Sequence, residues 1–199
     1  PKPGGMMRYG IPAYRLPRDI LDGEIAEIIA EGVDMESGRR VDNPSDLLAE
    51  GYDAVLMATG AHNGVSLPIP GRDLQHVYVN PEFLRACELG EPLPVGDTVV
   101  VLGGGNVAMD CAGIARRLGA KNVHAICLEA EGAMTCTDEE LEWAKEEGLV
   151  VHNSKTFLEI TGEQGKATGL RFAGVKSFRF DETGKSEIEL EPDSEEVLA

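Results

Sequence analysis

The chain has 199 residues, 42% of them hydrophobic, enough for one or two modest domains with real cores. Lys and Arg number 18 against 35 Asp and Glu, and the resulting formal charge of −17 argues against nucleic acid or an anionic membrane surface as partner. No apolar run approaches the ~20 residues of a membrane span, and no signal peptide opens the chain. Cys87, Cys111, Cys127 and Cys136 show neither disulfide nor zinc spacing, which fits a reducing cytoplasm.

Residues 1–16, "PKPGGMMRYGIPAYRL", carry too much Gly and Pro for regular structure, yet Met6, Met7, Tyr9, Ile11 and Tyr14 suit an apolar loop that packs on something. A Pro in first place points to a piece of a longer protein. From Pro17 the spacing predicts a helix with Ile20, Leu21, Ile25, Ile28 and Ile29 along one face and Gly32 as its stop. A short strand near Val33–Met35 and a helical turn over Asp46–Glu50 follow. "YDAVLMATG" (52–60) then reads as a strand buried on both faces.

Residues 61–96 form a connector in which Asn80 caps a short helix with Pro81 at its first position. A new unit begins at Asp97: a strand over 98–102, a glycine turn, a helix over about 106–118 and a strand over 122–128. Thr137 and Glu140 make a capping-box pattern for a helix that closes at Gly148, and "LVVHN" gives another strand. The tail 155–191 alternates, with turns at "GEQG" and "DETG", and reads as a small antiparallel appendage.

The turn reads Gly103-x-Gly105-x-x-Ala108 between a strand and a helix, within one βαβ unit. A first glycine allows the tight turn, and a second admits a diphosphate against the backbone. A small third residue lets helix and strand pack closely. The diphosphate then meets the helix N-terminus, where N–H groups and the dipole favour anions. Gly103, Gly104, Gly105, Asn106, Val107 and Ala108 are therefore the candidate cofactor contacts, with a purely structural turn as the plainer alternative. Glu129, about 20 residues further on, stands where an acid accepts the ribose 2′-OH and 3′-OH. It would repel a 2′-phosphate by about 2–3 kcal/mol, which favours NAD(H) over NADP(H). Ala108 in the third small position pulls toward NADP(H), and Glu129 could instead be a solvated loop acid.

Other candidates take structural readings. His62, His76, His124 and His152 lie apart in sequence with no carboxylate or nucleophile arranged around them, and Trp143 reads as core. Cys136 precedes a helix, which could lower its pKa, but it reads as non-catalytic, and Asp110 as structural. Asn106 reads as a cap or a diphosphate contact. No tyrosine has Lys four residues later. The residues thus offer no catalytic side chain and no metal site.

"PGGMMRYGIPAYRLPRDIL", "GYDAVLMATGAHNG", "IPG" (69–71), "VVVLGGGNVAMDCAGIARRLGA" and "EELEWAKEEG" together resemble the glutamate synthase small (beta) subunit and its relatives, including the flavin/NADPH part of dihydropyrimidine dehydrogenase. These are FAD-dependent NAD(P)H oxidoreductases of the pyridine nucleotide–disulfide oxidoreductase superfamily. The resemblance implies an α/β fold: a Rossmann-type NAD(P)-binding domain with a parallel sheet flanked by helices and a small antiparallel appendage, attached to part of a split FAD-binding domain. It maps residues 1–61 to a partial FAD-binding segment, 62–193 to the inserted NAD(P) domain and 194–199 to the return into the FAD domain. Ala58, Thr59 and Gly60 fall where the family's strand crosses near the flavin, and Arg8–Pro12 where the chain borders it.

The same resemblance implies hydride transfer from NAD(P)H to FAD in the intact parent, then electron delivery to iron–sulfur clusters or an amidotransferase-type partner subunit. This fragment lacks the other FAD-domain segments and is expected to hold no FAD and to show no turnover. One departure bears on specificity. The glutamate synthase pattern places Tyr-Arg-Arg before the loop Met, its arginines receiving the 2′-phosphate. Alignment on Met134 puts Cys127, Leu128 and Glu129 there. A non-catalytic NAD(H)-binding redox-sensing or interaction module is the alternative function.

Overall fold

The computed structural model describes residues 2–91, 93–180, 182 and 186–199. They form two compact units, Pro1–Asn63 and Gly64–Ala199.

The first unit is helical: α1 (Gly5–Tyr9), α2 (Arg18–Ala30) and α3 (Pro44–Ala49). Helix α1 corrects the expectation that residues 1–16 lack regular structure. Its backbone is led in by Gly4 and Gly5, both at positive φ, which accounts for the glycines without forbidding a turn of helix. Two arginines organise this stretch. Arg8 is buried and bonds the Pro3 carbonyl and the Asp22 carboxylate, and the Arg18 guanidinium donates to the carbonyls of Met7, Ile11 and Leu16. On α2 the inward line is Leu21, Ile25 and Ile29, spaced one helical turn apart. Ile20 and Ile28 stand exposed, so the apolar face is narrower than the sequence suggests. Asn43 caps α3 by accepting from the Ser45 N–H, with Pro44 at the first helical position.

Neither strand expected in this unit forms. Val33 and Met35 are about half exposed, and within "YDAVLMATG" Leu56 is 90% and Met57 62% exposed. The apolar pattern asks for neighbours on both sides, but the described residues of the unit hold no other strand to pair with it.

The second unit carries β1 (Thr98–Leu102), β2 (Asn122–Ile126) and β3 (Leu149–His152) in a parallel sheet of that order. Register runs Val99↔Val123 and Ala125↔Val151. Helices α4 (Asn80–Glu88), α5 (Asn106–Arg117) and α6 (Asp138–Glu146) cover one face, where Met109, Ala112, Ala115, Val123, Ala125, Ala144 and Leu149 form the main core. Strands β4 (Lys155–Glu163), β5 (Lys166–Phe180), β6 (Ser186–Leu190) and β7 (Glu196–Leu198) form the antiparallel layer. This layer packs on the other face through Ile126, Leu170 and Phe172. Residues 194–199 stay with this unit, because β7 pairs with β5. Gln164 and Gly165 at positive φ make the "GEQG" turn; the "DETG" turn, Glu182 apart, lies outside the described residues. On α4 the cap expectation shifts by one: Val79 is the cap residue, and Asn80 is already helical.

Candidate functional site

The chain leaves β1 at Leu102 and reverses over three glycines that differ in what they require. Gly103 sits at φ +129, and its N–H donates to the Ile126 carbonyl of β2 at 2.8 Å. A Cβ there would meet open space, so the demand is conformational. Gly104 is buried, and a Cβ on it would lie 2.9 Å from Cys127 Cβ and 3.2 Å from Glu129 Oε2, so the demand is for room. Gly105 is the cap residue before α5, in extended backbone, and supplies no side-chain cap. The helix therefore opens with a bare N-terminus, the arrangement that receives an anion. Val107 is 45% exposed on the first turn, while Ala108 packs on the main core.

Glu129 joins this turn. It follows β2, half-buried, with its carboxylate against Gly104. Its main-chain carbonyl accepts from the Ser154 N–H at 2.9 Å and from Asn153 Nδ2 at 3.2 Å. Asn153 Nδ2 also lies 3.5 Å from Cys127 Sγ, and the Lys155 N–H donates to the Cys127 carbonyl at 2.9 Å. The loop before α6 closes the other side. The Cys136 N–H donates to the Gly104 carbonyl at 3.3 Å, and Thr135 Oγ1 would stand 3.3 Å from a Cβ on Gly105.

Asn106 does not cap its own helix. Its Oδ1 accepts from the N–H of Thr137, the residue that caps α6 by accepting from the Glu140 N–H. One side chain thus ties the starts of two helices together. The tie, like the hold on Glu129 by Asn153 and Ser154, escapes sequence reading because each joins residues more than twenty positions apart.

The cysteines near the turn are quiet. Burial, reinforced by Glu129, pushes the Cys127 thiol up to about 11, and burial also raises Cys136 above its ordinary value, so the helix start does not activate it. Two histidines come together against expectation. His124 Nδ1 and His152 Nε2 stand 3.0 Å apart, and the His152 ring meets the edge of Phe172. Parallel pairing of β2 and β3 places both rings on the face that carries the antiparallel layer. Trp143 is half-buried rather than core, its ring lying under the Arg117 guanidinium, which also pairs with Glu147.

Gly103, Gly104, Gly105, Asn106, Val107, Ala108 and Glu129 therefore converge. Ala58, Thr59 and Gly60 belong to the other unit, exposed and outside any strand, with Gly60 at φ +68. Among the described residues no group of three His, Cys, Asp or Glu could hold a metal ion, and no helix is long and apolar enough to cross a membrane. A cavity of about 320 Å³ runs along β1, lined by Phe83, Val99, Val101, Ile160, Leu170 and Leu198 and by none of the three glycines. What the turn presents is a helix start without a side-chain cap and, against Gly104, the carboxylate of Glu129.

Residues 15–184 match the family described as pyridine nucleotide-disulphide oxidoreductase. The chain is 40% identical to the NADP(+)-dependent formate dehydrogenase subunit beta of Moorella thermoacetica, over 93% of this chain and 27% of that protein. It is 32% identical to the NAD-dependent dihydropyrimidine dehydrogenase subunit PreT of Salmonella typhimurium, over 87% and 43%. It is likewise 32% identical to the glutamate synthase [NADPH] small chain of Halomonas elongata, over 100% and 44%. The chain thus spans less than half the length of these relatives. Among solved structures, FprA of Mycobacterium tuberculosis in complex with NADPH superposes with a TM-score of 0.74 over 99% of this chain and 59% of its own. At 19% identity, that likeness speaks to the fold alone.

Proposed function

The chain belongs to the pyridine nucleotide-disulphide oxidoreductase family, and from that premise we propose that its second unit holds the nicotinamide nucleotide of a flavin-dependent oxidoreductase, with NADH preferred over NADPH. The observation that carries the reading is the carboxylate of Glu129 standing against Gly104, beside a helix start that has no side-chain cap. The turn fits the group: Gly103 supplies a backbone that other residues resist, and Gly105 leaves the anion seat bare.

On this reading the backbone of Gly103–Ala108 holds the diphosphate. Asn106, held by Thr137, keeps the loop 130–137 beside it, and Glu129 accepts from the ribose hydroxyls. Leu128 and Glu129 occupy the positions where the glutamate synthase pattern has arginines for the 2′-phosphate. The relatives include NADP- and NAD-dependent proteins by name, so membership alone leaves the choice to this residue. When bound together, nicotinamide and flavin supply hydride transfer from C4 to N5, and the protein's part is to position and to exclude water.

Ala58, Thr59 and Gly60, exposed in the first unit, are the residues proposed to border the flavin, and FAD is assigned to the whole protein. Delivery to iron–sulfur clusters or a partner subunit belongs there too.

Calorimetric titration of this chain with NADH and, separately, NADPH at low salt tests the reading. NADH should bind at least about tenfold more tightly, and Glu129→Ala should narrow the gap. Tighter binding of NADPH overturns the selection by Glu129. Binding of neither overturns the turn as a self-sufficient site. Nucleotide binding to a full-length protein that carries no flavin would favour the redox-sensing module instead.

A further inference from the structure

We propose that Asn153 is a positioning residue for nucleotide selection: it fixes the main chain of Glu129 and thereby aims the carboxylate at the ribose, an inference that rests on the reading of Glu129 above.

Residues 153 and 154 link the end of β3 to the start of β4, and this link lies directly beside the segment that leaves β2. Three backbone bonds dock the two segments. The Cys127 N–H donates to the His152 carbonyl at 3.1 Å, the Lys155 N–H to the Cys127 carbonyl at 2.9 Å and the Ser154 N–H to the Glu129 carbonyl at 2.9 Å. Ser154 takes φ +52 to make its bond. These bonds hold the link whatever side chain stands at 153. The Asn153 amide adds something separate, because Nδ2 points at two acceptors of the β2 exit, the Glu129 carbonyl at 3.2 Å and Cys127 Sγ at 3.5 Å.

The Glu129 carbonyl thus receives two nitrogen donors from different directions, one from backbone and one from a side chain, and the weaker Cys127 thiol at 3.8 Å. Two donors define the orientation of a peptide plane, whereas one leaves a swing about the bond. The peptide plane at 129 sets where its Cα–Cβ bond points, and the carboxylate has little latitude, since Oε2 already stands against Gly104. Cys127 shares the arrangement. Its Cβ is the nearest neighbour a side chain at Gly104 would meet, so the contact with Asn153 also keeps the thiol from the space the glycine leaves. A hydroxyl-selecting carboxylate discriminates only while held in place, because a mobile one moves away from a 2′-phosphate.

Asn is also a favoured turn residue, so a role confined to the β3–β4 turn is the competing explanation. Asn153→Ser separates the two. Serine suits the turn, carries no charge and is too short to reach Glu129. Affinities for NADH and NADPH are measured on the full 199-residue chain for the unsubstituted protein, N153S, E129A and the double variant. A loss of folded fraction weakens both nucleotides by one factor and leaves their ratio untouched, so the ratio reads positioning alone. The expected result is a fall in the NADH preference of about threefold to tenfold in N153S, and no further fall when N153S is added to E129A. Asn153→His, which can place a ring N–H near the amide nitrogen, should restore part of the preference. An unchanged ratio in N153S beside a collapsed one in E129A overturns the proposal and leaves the Glu129 reading standing. An unchanged ratio in E129A overturns both.

Discussion

Gly103 and Gly104 are adjacent, and substitution should fail at each for a different reason. Alanine at 103 would have open space but a backbone at φ +129, which L-residues resist, so the cost is local strain of about 1–3 kcal/mol. Alanine at 104 keeps an ordinary backbone but drives a methyl to 2.9 Å from Cys127 Cβ and 3.2 Å from the Glu129 carboxylate. Cys127 is docked through both its N–H and its carbonyl, so Glu129 is the side chain that yields. Gly104→Ala should therefore lose nucleotide preference along with about 1–3 kcal/mol of stability, whereas Gly103→Ala weakens both nucleotides alike. Urea melts combined with the two titrations distinguish them. Gly105 provides the opposite case. Serine suits a helix cap, though its Cβ would press Thr135 Oγ1 at 3.3 Å, so Gly105→Ser should change stability by at most about 1 kcal/mol while its side chain blocks the proposed anion seat and costs at least about tenfold in affinity for either nucleotide. A protein selected for stability alone would have capped α5.

Among the elements, β1, α5, β2 and α6 were legible because their signals are local: an apolar run, a glycine turn, a 3.6-residue period and a cap residue. "YDAVLMATG" carries as good a strand signal as β1, yet forms none, because a strand is made by its neighbours and the described residues around it supply none. The site divides the same way. Gly103–Ala108 and Glu129 lie in one βαβ unit and could be read from spacing, whereas Asn153 reaches them only through pairing of β2 with β3. That pairing also creates the His124–His152 contact, with a measurable consequence. Burial and the neighbouring His152 both lower the pKa of His124 from its ordinary 6.5, so the folded chain resists a proton that the unfolded chain accepts. Of the charged groups near the pair, Lys155 across the Phe172 ring opposes a second positive charge and is itself paired with Glu196. Stability from this contact is complete above about pH 6.5 and falls as the pH drops below it. Denaturation midpoints at pH 7.5 and 5.5 should differ in that direction, and His124→Asn should reduce the difference.

For the whole molecule the charge of −17 bears on the ligand as well as on the surface. A dinucleotide is an anion, and it must approach a protein whose field repels it. The bare start of α5 offsets that repulsion over a few ångströms, while the remaining carboxylates act over the Debye length, about 10 Å at 0.1 M salt. Added salt screens the long-range part first and leaves the short contacts largely intact. NADPH carries the additional charge of its 2′-phosphate, about two units, so it gains more from screening than NADH does. Raising the salt should therefore strengthen binding of both nucleotides, strengthen NADPH more, and narrow the NADH preference without removing it. A site that received the 2′-phosphate on arginines behaves in the opposite sense, because screening weakens an attraction and NADPH affinity then falls. The sign of the salt dependence of NADPH binding thus separates selection by Glu129 from selection by basic residues. It can be read from titrations at two salt concentrations on the unsubstituted chain.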